Sequence, residues 1–344
     1  MKRFIIKTSI FSIPLILLLV GVNYFGDAAK LYCSNKYEEK IVNILRDGKY
    51  VTNISNYNER IFQKKFINSL DFTPSIVVLG SSRSRSINSE IFQEALLINN
   101  SVSGASMEDL IALFSIYKEV NRLPSKFIIC IDPWMFNDNS EQTRWESISE
   151  YYYKFKTKPI TSTNSWYLYR QLFSLSYFQS SLKTIFNKTQ QPIATLDKVN
   201  STNTMLSDGS NVQRLEILNT DKETVDSKVN SCLNKEYIYG LNNFNSISTD
   251  YLSDLYSLVE QLEKRVIEYS FFLSPYHPVV YNRIMSDYPL VLELEQILKK
   301  FSSNHGIKIQ GSYDPGNLNM DESYFFDGMH SLETGILKIL EVKQ

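Results

Sequence analysis

An aspartate and a histidine three residues apart, Asp327 and His330 in Tyr-Phe-Phe-Asp-Gly-Met-His-Ser, stand in a turn just ahead of the last helical stretch of this chain. Far upstream, Gly80-Ser81-Ser82-Arg83 follows the short apolar run at 75–79, where a strand should end and a helix should begin. These residue types match the needs of serine-ester chemistry. A serine hydroxyl is a weak nucleophile until a base takes its proton. Histidine suits that task near neutral pH. Its second ring nitrogen needs an acceptor that fixes the tautomer, and an aspartate three positions earlier in a turn can supply one. Ser82, at a strand's carboxyl end, is placed to attack a carbonyl while its own N–H holds the developing oxyanion, helped by the N-terminus of a helix behind it. The chain has only three histidines, which makes the setting of His330 informative. The surroundings of Ser82 are neither a G-x-S-x-G elbow, since Ser84 stands where the second Gly belongs, nor a P-loop, which needs a Gly-Lys pair.

The elements that must position these groups follow from periodicity. Short apolar runs at 75–79, 96–99, 126–131, 270–273 and 307–309 read as buried parallel strands. Helical patterns lie between them at 107–119, 248–269 and 291–304, with the last helix at 332–340. Ser89 is a candidate N-cap for a helix over 89–95. Strand–helix alternation of this kind predicts an α/β fold, a three-layer α/β/α sandwich around a parallel sheet. The alternation lapses between 138 and 245, a polar stretch rich in Ser, Thr, Asn and aromatics, with helical patches near 145–155 and 165–186. This stretch reads as an insertion that returns to the sheet.

The N-terminus bears on location. Lys2, Arg3 and Lys7 precede an uncharged, mostly apolar run at 8–25. As a helix these residues would span about 27 Å, close to a bilayer core. With the basic flank on the inside, the short tail is expected in the cytoplasm and the rest outside it. A cleavable signal peptide is the rival reading, although no clean A-x-A site follows. The expected organisation is a tail and single transmembrane anchor at 1–29, a juxtamembrane helical segment at 30–70, and an α/β domain at 71–344 that carries the insertion. A net charge of −1 provides no field to attract nucleic acid. Cys33, Cys130 and Cys232 are odd in number. A Cys33–Cys232 disulfide has no support from spacing, and neither C-x-x-C nor H-x-x-x-H occurs to suggest zinc. No metal or organic cofactor is implied.

Taken together, Gly80-Ser81-Ser82 after the first strand, Gly104 after the second in Asn-Ser-Val-Ser-Gly-Ala-Ser, and Asp327-x-x-His330 before the last helix resemble the SGNH (GDSL-type) hydrolase family. The resemblance covers residues 75–135 and 250–340. It is nearest to the membrane-anchored, extracytoplasmic branch associated with envelope polysaccharide modification. It implies a flavodoxin-like sandwich, Ser82 as nucleophile, His330 as base, Asp327 as its orienter and Gly104 as an oxyanion-hole donor. The family's third block, Gly-x-Asn-Asp, is absent. The corresponding strand end reads Ile131-Asp-Pro-Trp-Met-Phe-Asn137, which leaves Asn137 as a displaced candidate donor. Arg83, beside the nucleophile, is a candidate for binding substrate carboxylate or phosphate, against a bland role in an ion pair. His277, in Ser-Pro-Tyr-His-Pro at another strand end, either lines the cleft or packs in its turn. Trp134, Trp145 and Trp166 are candidates for stacking on sugar rings, against ordinary core roles. The expected activity is hydrolysis of an O-acyl ester on an envelope glycan. Transfer of the acyl group to a sugar, fed by a membrane acyl-export partner, and a non-catalytic glycan-binding scaffold are the alternatives.

Overall fold

The computed structural model describes residues 2–27, 36–55, 57–93, 95–140, 142–157, 166–186, 191–198 and 202–341. Cys33, and with it the Cys33–Cys232 pairing, lies outside them. The helices are α1 Lys2–Gly26, α2 Lys36–Arg46, α3 Glu59–Ser69, α4 Met107–Glu119, α5 Ser149–Phe155, α6 Trp166–Leu172, α7 Leu175–Phe186, α8 Leu215–Leu218, α9 Lys222–Leu233, α10 Thr249–Glu263, α11 Pro278–Asp287, α12 Pro289–His305 and α13 Glu333–Ile339. The strands are β1 Tyr50–Thr52, β2 Ile76–Leu79, β3 Leu97–Asn99, β4 Lys126–Cys130, β5 Ile193–Thr195, β6 Thr204–Met205, β7 Asn211–Val212, β8 Glu268–Leu273 and β9 Lys308–Gly311.

β2, β3, β4, β8 and β9 form one five-stranded sheet in the order β3-β2-β4-β8-β9, every pair parallel. This is a doubly wound order, with its switch point between β2 and β4, and ligand crevices of such sheets open at the carboxyl ends there. Apolar side chains point alternately to the two faces. Val77, Leu79, Phe127, Ile129, Phe271 and Leu273 enter the larger core with α4, α10 and α12, whereas Val78, Ile128, Cys130 and Phe272 enter a smaller one with α13. Both faces of the sheet are therefore covered, as an all-parallel sheet requires.

Some boundaries differ from the sequence expectation. The helix expected over 89–95 is a single 3-10 turn, Ser89–Phe92. Its cap is Asn88, whose side chain accepts from the N–H groups of Glu90 and Ile91. The helix expected to run to 269 stops at Glu263, and β8 begins at Glu268. Residues 36–70 are not a spacer. Ile41, Phe62 and Phe66 pack into the same core as β2 and β4, and β1 joins a second, antiparallel sheet of order β5-β1-β6-β7 built mainly from the insertion.

The apolar N-terminal run does form a helix, α1, with Phe11, Leu15, Leu17 and Phe25 exposed. The side chains at 2, 4–6, 8 and 9 lie outside the described residues. Among the described residues, no helix is long and apolar enough to cross a membrane. The far end of α1 docks on the insertion. The Asn23 amide lies 2.8–3.1 Å from the carbonyls of Gln171, Leu172 and Ser174, and the Tyr177 hydroxyl donates to Asp27 at 2.8 Å.

Gly80 closes the β2 end against β4. A Cβ there would lie 2.4 Å from Cys130 Cβ and 2.5 Å from Ser84 Oγ. Both neighbours are buried, so Gly80→Ala is expected to cost about 1–3 kcal/mol by overpacking, read as a lowered midpoint in thermal unfolding. An unchanged midpoint would mean that this junction yields freely.

Candidate active site

Three segments distant in sequence meet at the carboxyl edge of the sheet. Ser82 opens a three-residue 3-10 turn, Ser82–Ser84, directly after β2. The Ser81 side chain caps that turn by accepting from the Arg83 N–H. The longer helix expected just behind the serine is not there, so no extended helix dipole acts on it. The second segment is the β3–α4 turn. Gly104 takes φ +52 there, a conformation that side-chain-bearing residues rarely adopt. The two turns run side by side: Val102 N–H donates to the Gly80 carbonyl at 2.9 Å, and Ser84 Oγ bonds Ser101 Oγ at 2.9 Å. Among the described residues, the backbone N–H groups of Ser82 and Gly104 have no hydrogen-bond partner. Two such donors in adjacent turns are the raw material of an oxyanion hole.

The third segment is the loop before α13, drawn tight by a bridge between Phe325 and Ser331 and by Phe326 N–H donating to the His330 carbonyl at 3.3 Å. Asp327 Oδ1 accepts from the N–H groups of Met329 and His330, each at 2.8 Å, and its Oδ2 lies 2.9 Å from His330 Nδ1. His330 Nε2 lies 3.0 Å from Ser82 Oγ. A carboxylate only accepts, so Nδ1 carries the ring hydrogen and Nε2 offers its lone pair to the serine hydroxyl. Burial alone would raise the Asp327 carboxyl. The hydrogen bonds and charge of His330, with the two backbone donors, more than offset this and hold it below the usual carboxylate range. Phe326 stacks on the imidazole, centroids 5.5 Å apart and planes within 13°. Ser82, His330 and Asp327, from two segments distant in the chain, are thus joined in one hydrogen-bonded chain.

Arg83 is a correction. It is 3 % exposed and does not face substrate. Its Nε donates to the Met329 carbonyl at 2.9 Å, Nη1 to Asp132 Oδ1 at 2.8 Å, and Nη2 to the carbonyls of Ser274 and Pro275 at 2.6 and 2.7 Å, while the guanidinium lies 4.2 Å from the Tyr276 ring centroid. It pins the His330 loop to the ends of β2, β4 and β8. Burial pushes the Asp132 carboxyl up, and Arg83 beside it pulls against that rise.

Asn137 is also spent elsewhere. Its amide donates to the carbonyls of Gly240 and Asn242 at 3.0 and 2.9 Å, fastening the insertion to the β4 end. His277 is 1 % exposed and caps α11, its Nδ1 accepting from Val279 N–H at 3.3 Å. Burial holds its pKa below the ordinary imidazole value. Its own N–H donates to the Gly328 carbonyl at 3.2 Å, so it braces the loop from behind. Trp134 is buried, with Nε1 donating to the Ala105 carbonyl at 2.9 Å. Trp145 packs edge-on against Tyr152, and the Trp166 side chain lies outside the described residues.

Several positioning residues gave no signal in the sequence. Glu59, from α3, accepts from both the N–H and hydroxyl of Ser103 and pairs with Arg85 at 2.9 Å. Burial would raise Glu59, but Arg85 and Arg60 hold it low. Arg60 forks onto Asp109 at 2.8 and 3.0 Å and reaches the Ser103 carbonyl at 3.0 Å. The insertion contributes Gln213, which receives the Glu333 N–H and donates to the Ser331 carbonyl at 3.0 Å, fixing the start of α13. No composition or periodicity marks these partners, since each is chosen by a contact between distant segments. No protein-family model and no curated protein matches this chain.

Because the folded Asp327 carboxyl is depressed, its contribution to stability is full above the unfolded value of about 3.9 and is lost as pH falls through the lower folded value. Thermal unfolding of wild type and Asp327→Asn should therefore differ most at neutral pH and converge below about pH 4. A gap that persists unchanged into strong acid would break the assignment of Asp327 as an ionised partner of His330.

Proposed function

We propose that this chain is an SGNH-like serine acyl-ester hydrolase, held at a membrane by α1, whose substrate is an O-acylated glycan of the cell envelope. One observation carries the chemistry: Ser82 Oγ, His330 Nε2 and Asp327 Oδ2 form an unbroken hydrogen-bonded relay, 3.0 and 2.9 Å long. Unpartnered N–H groups at Ser82 and Gly104 support the same reading. The glycan and the extracytoplasmic location rest on the sequence resemblance. The membrane rests on the basic flank and on the apolar side chains that α1 leaves exposed.

In this reading Ser82 Oγ attacks the acyl carbonyl carbon as His330 Nε2 takes its proton. Asp327 holds the ring in the required tautomer and stabilises the imidazolium. The carbonyl electron pair moves onto oxygen, where the Ser82 and Gly104 N–H groups receive it. On collapse the sugar oxygen departs with the proton from His330 and leaves an acyl-serine. Water, deprotonated by the same histidine, then releases the acid. Hydrolysis needs nothing beyond this chain and water, whereas transfer to a second sugar would need an acyl supply from a partner.

Purified full-length protein should label with a serine-reactive fluorophosphonate, and Ser82→Ala and His330→Ala should each abolish labelling. A folded wild type that does not label would favour a glycan-binding scaffold. Alkaline carbonate washing of membranes should leave the protein in the pellet, and its complete release would remove α1 as an anchor.

A further inference from the structure

The insertion places an uncompensated cation on the oxyanion side of the site. Space that a side chain at position 104 would occupy is filled by two groups from the insertion. A Cβ on Gly104 would lie 2.0 Å from Tyr239 Oη and 2.3 Å from Arg144 Nη2. Arg144 Nη2 donates to Tyr239 Oη at 2.8 Å, and Tyr239 is braced edge-on against Trp134, centroids 5.3 Å apart. Gln142 ties the two positions together. Its Nε2 donates to the Gly104 carbonyl at 3.0 Å, and its Oε1 receives the Arg144 backbone N–H. The closeness of Arg144 to Gly104 is thus built by the backbone and does not depend on a loose side chain alone.

The other polar groups around this turn are already used. Arg83 is spent on Asp132 and three carbonyls, Arg85 on Glu59 and Ser103. Asn137 is spent on two insertion carbonyls and Trp134 Nε1 on Ala105. Among the described residues, the Arg144 guanidinium has Tyr239 Oη as its only side-chain partner and no carboxylate beside it. A guanidinium with no carboxylate partner, beside a residue whose N–H is also free, suits an anionic oxygen.

We propose that Arg144, held by Tyr239, is the third oxyanion donor of this site, in place of the asparagine that the missing Gly-x-Asn-Asp block would provide. The inference rests on the ester reading above. As Ser82 Oγ bonds to the acyl carbon and the carbonyl pair moves to oxygen, Arg144 donates to that oxygen together with the Ser82 and Gly104 N–H groups. The bond is released as the carbonyl reforms and the alcohol leaves with the proton from His330.

The test uses the full-length protein, a neutral ester (4-nitrophenyl acetate), an anionic one (4-nitrophenyl hemisuccinate) and the rate of fluorophosphonate labelling. Phosphonylation of the serine also builds an anionic oxygen, and its rate is independent of any acyl acceptor. Arg144→Met should lower kcat for the neutral ester and the labelling rate together, by about 100- to 1000-fold, with KM little changed. Arg144→Lys should recover part of that loss, and Tyr239→Phe should lose less than Arg144→Met. Arg144 is exposed, so the thermal midpoint should stay at the wild-type value. Arg144→Met that matches an active wild type on the neutral ester overturns the inference alone. Loss confined to the anionic ester also overturns it, by making Arg144 a reader of substrate charge. A wild type that neither labels nor turns over ester removes the ester reading and this inference with it.

Discussion

The buried guanidinium of Arg83 is the constraint on which the site depends. Four groups from three segments converge on it: the Asp132 carboxylate after β4, the carbonyls of Ser274 and Pro275 after β8, and the Met329 carbonyl inside the His330 loop. A charge removed from water this completely is stable only when its hydrogen bonds and counter-charge are all in place. Removing one partner of such a pair commonly costs about 3–5 kcal/mol. Arg83, directly after Ser82, therefore senses whether β4, β8 and the His330 loop are correctly seated. Because Ser82 and Arg83 are neighbours in one 3-10 turn, the geometry that satisfies the arginine also aims the serine.

A second, independent clamp holds the oxyanion side. Glu59 and Arg60 lie on α3, in a segment that the sequence marks only as a helical lead-in to the domain. They bind Ser103 and Asp109 on either side of Gly104. The capping box of α4, in which Ser106 and Asp109 satisfy each other's backbone N–H groups, adds to the same knot. The site is thus gripped from both directions along the sheet edge, and its two free N–H groups lie between the grips. Backbone donors held without partners between two such clamps are what a pre-organised site requires.

The insertion has two structural duties that its composition conceals. One end receives α1 through Asn23 and Tyr177. Its other parts reach the site: Gln142 and Arg144 at Gly104, Gln213 at the start of α13, and the carbonyls at 240 and 242 that consume Asn137. Asn137 was the natural candidate for the missing third donor. Its fate follows from position, since it lies past a 3-10 turn, Pro133–Phe136, that directs it toward the insertion.

The sequence alone determined the five strands of the parallel sheet, the serine at the end of β2 and the Asp-x-x-His turn before α13, but not the second, antiparallel sheet. These are local matters: apolar runs of strand length, a glycine that permits close approach of strands, and two residues close enough in one turn to bond. Only the tertiary structure decided which polar groups are committed to the fold and which are left with free hydrogen-bonding capacity at the strand ends. Arg83 and Asn137 resemble ligand-binding residues in the sequence, yet they are consumed by carbonyls and a carboxylate, and His277 is buried with its Nδ1 capping a helix. Arg144 is one arginine in a featureless polar stretch, yet it stands over Gly104. The physical reason is that a hydrogen-bonding group is defined by what it has left over. That remainder depends on contacts such as Ser82 with His330, 248 residues apart in the chain, and such contacts exist only once the sheet has brought its strand ends together.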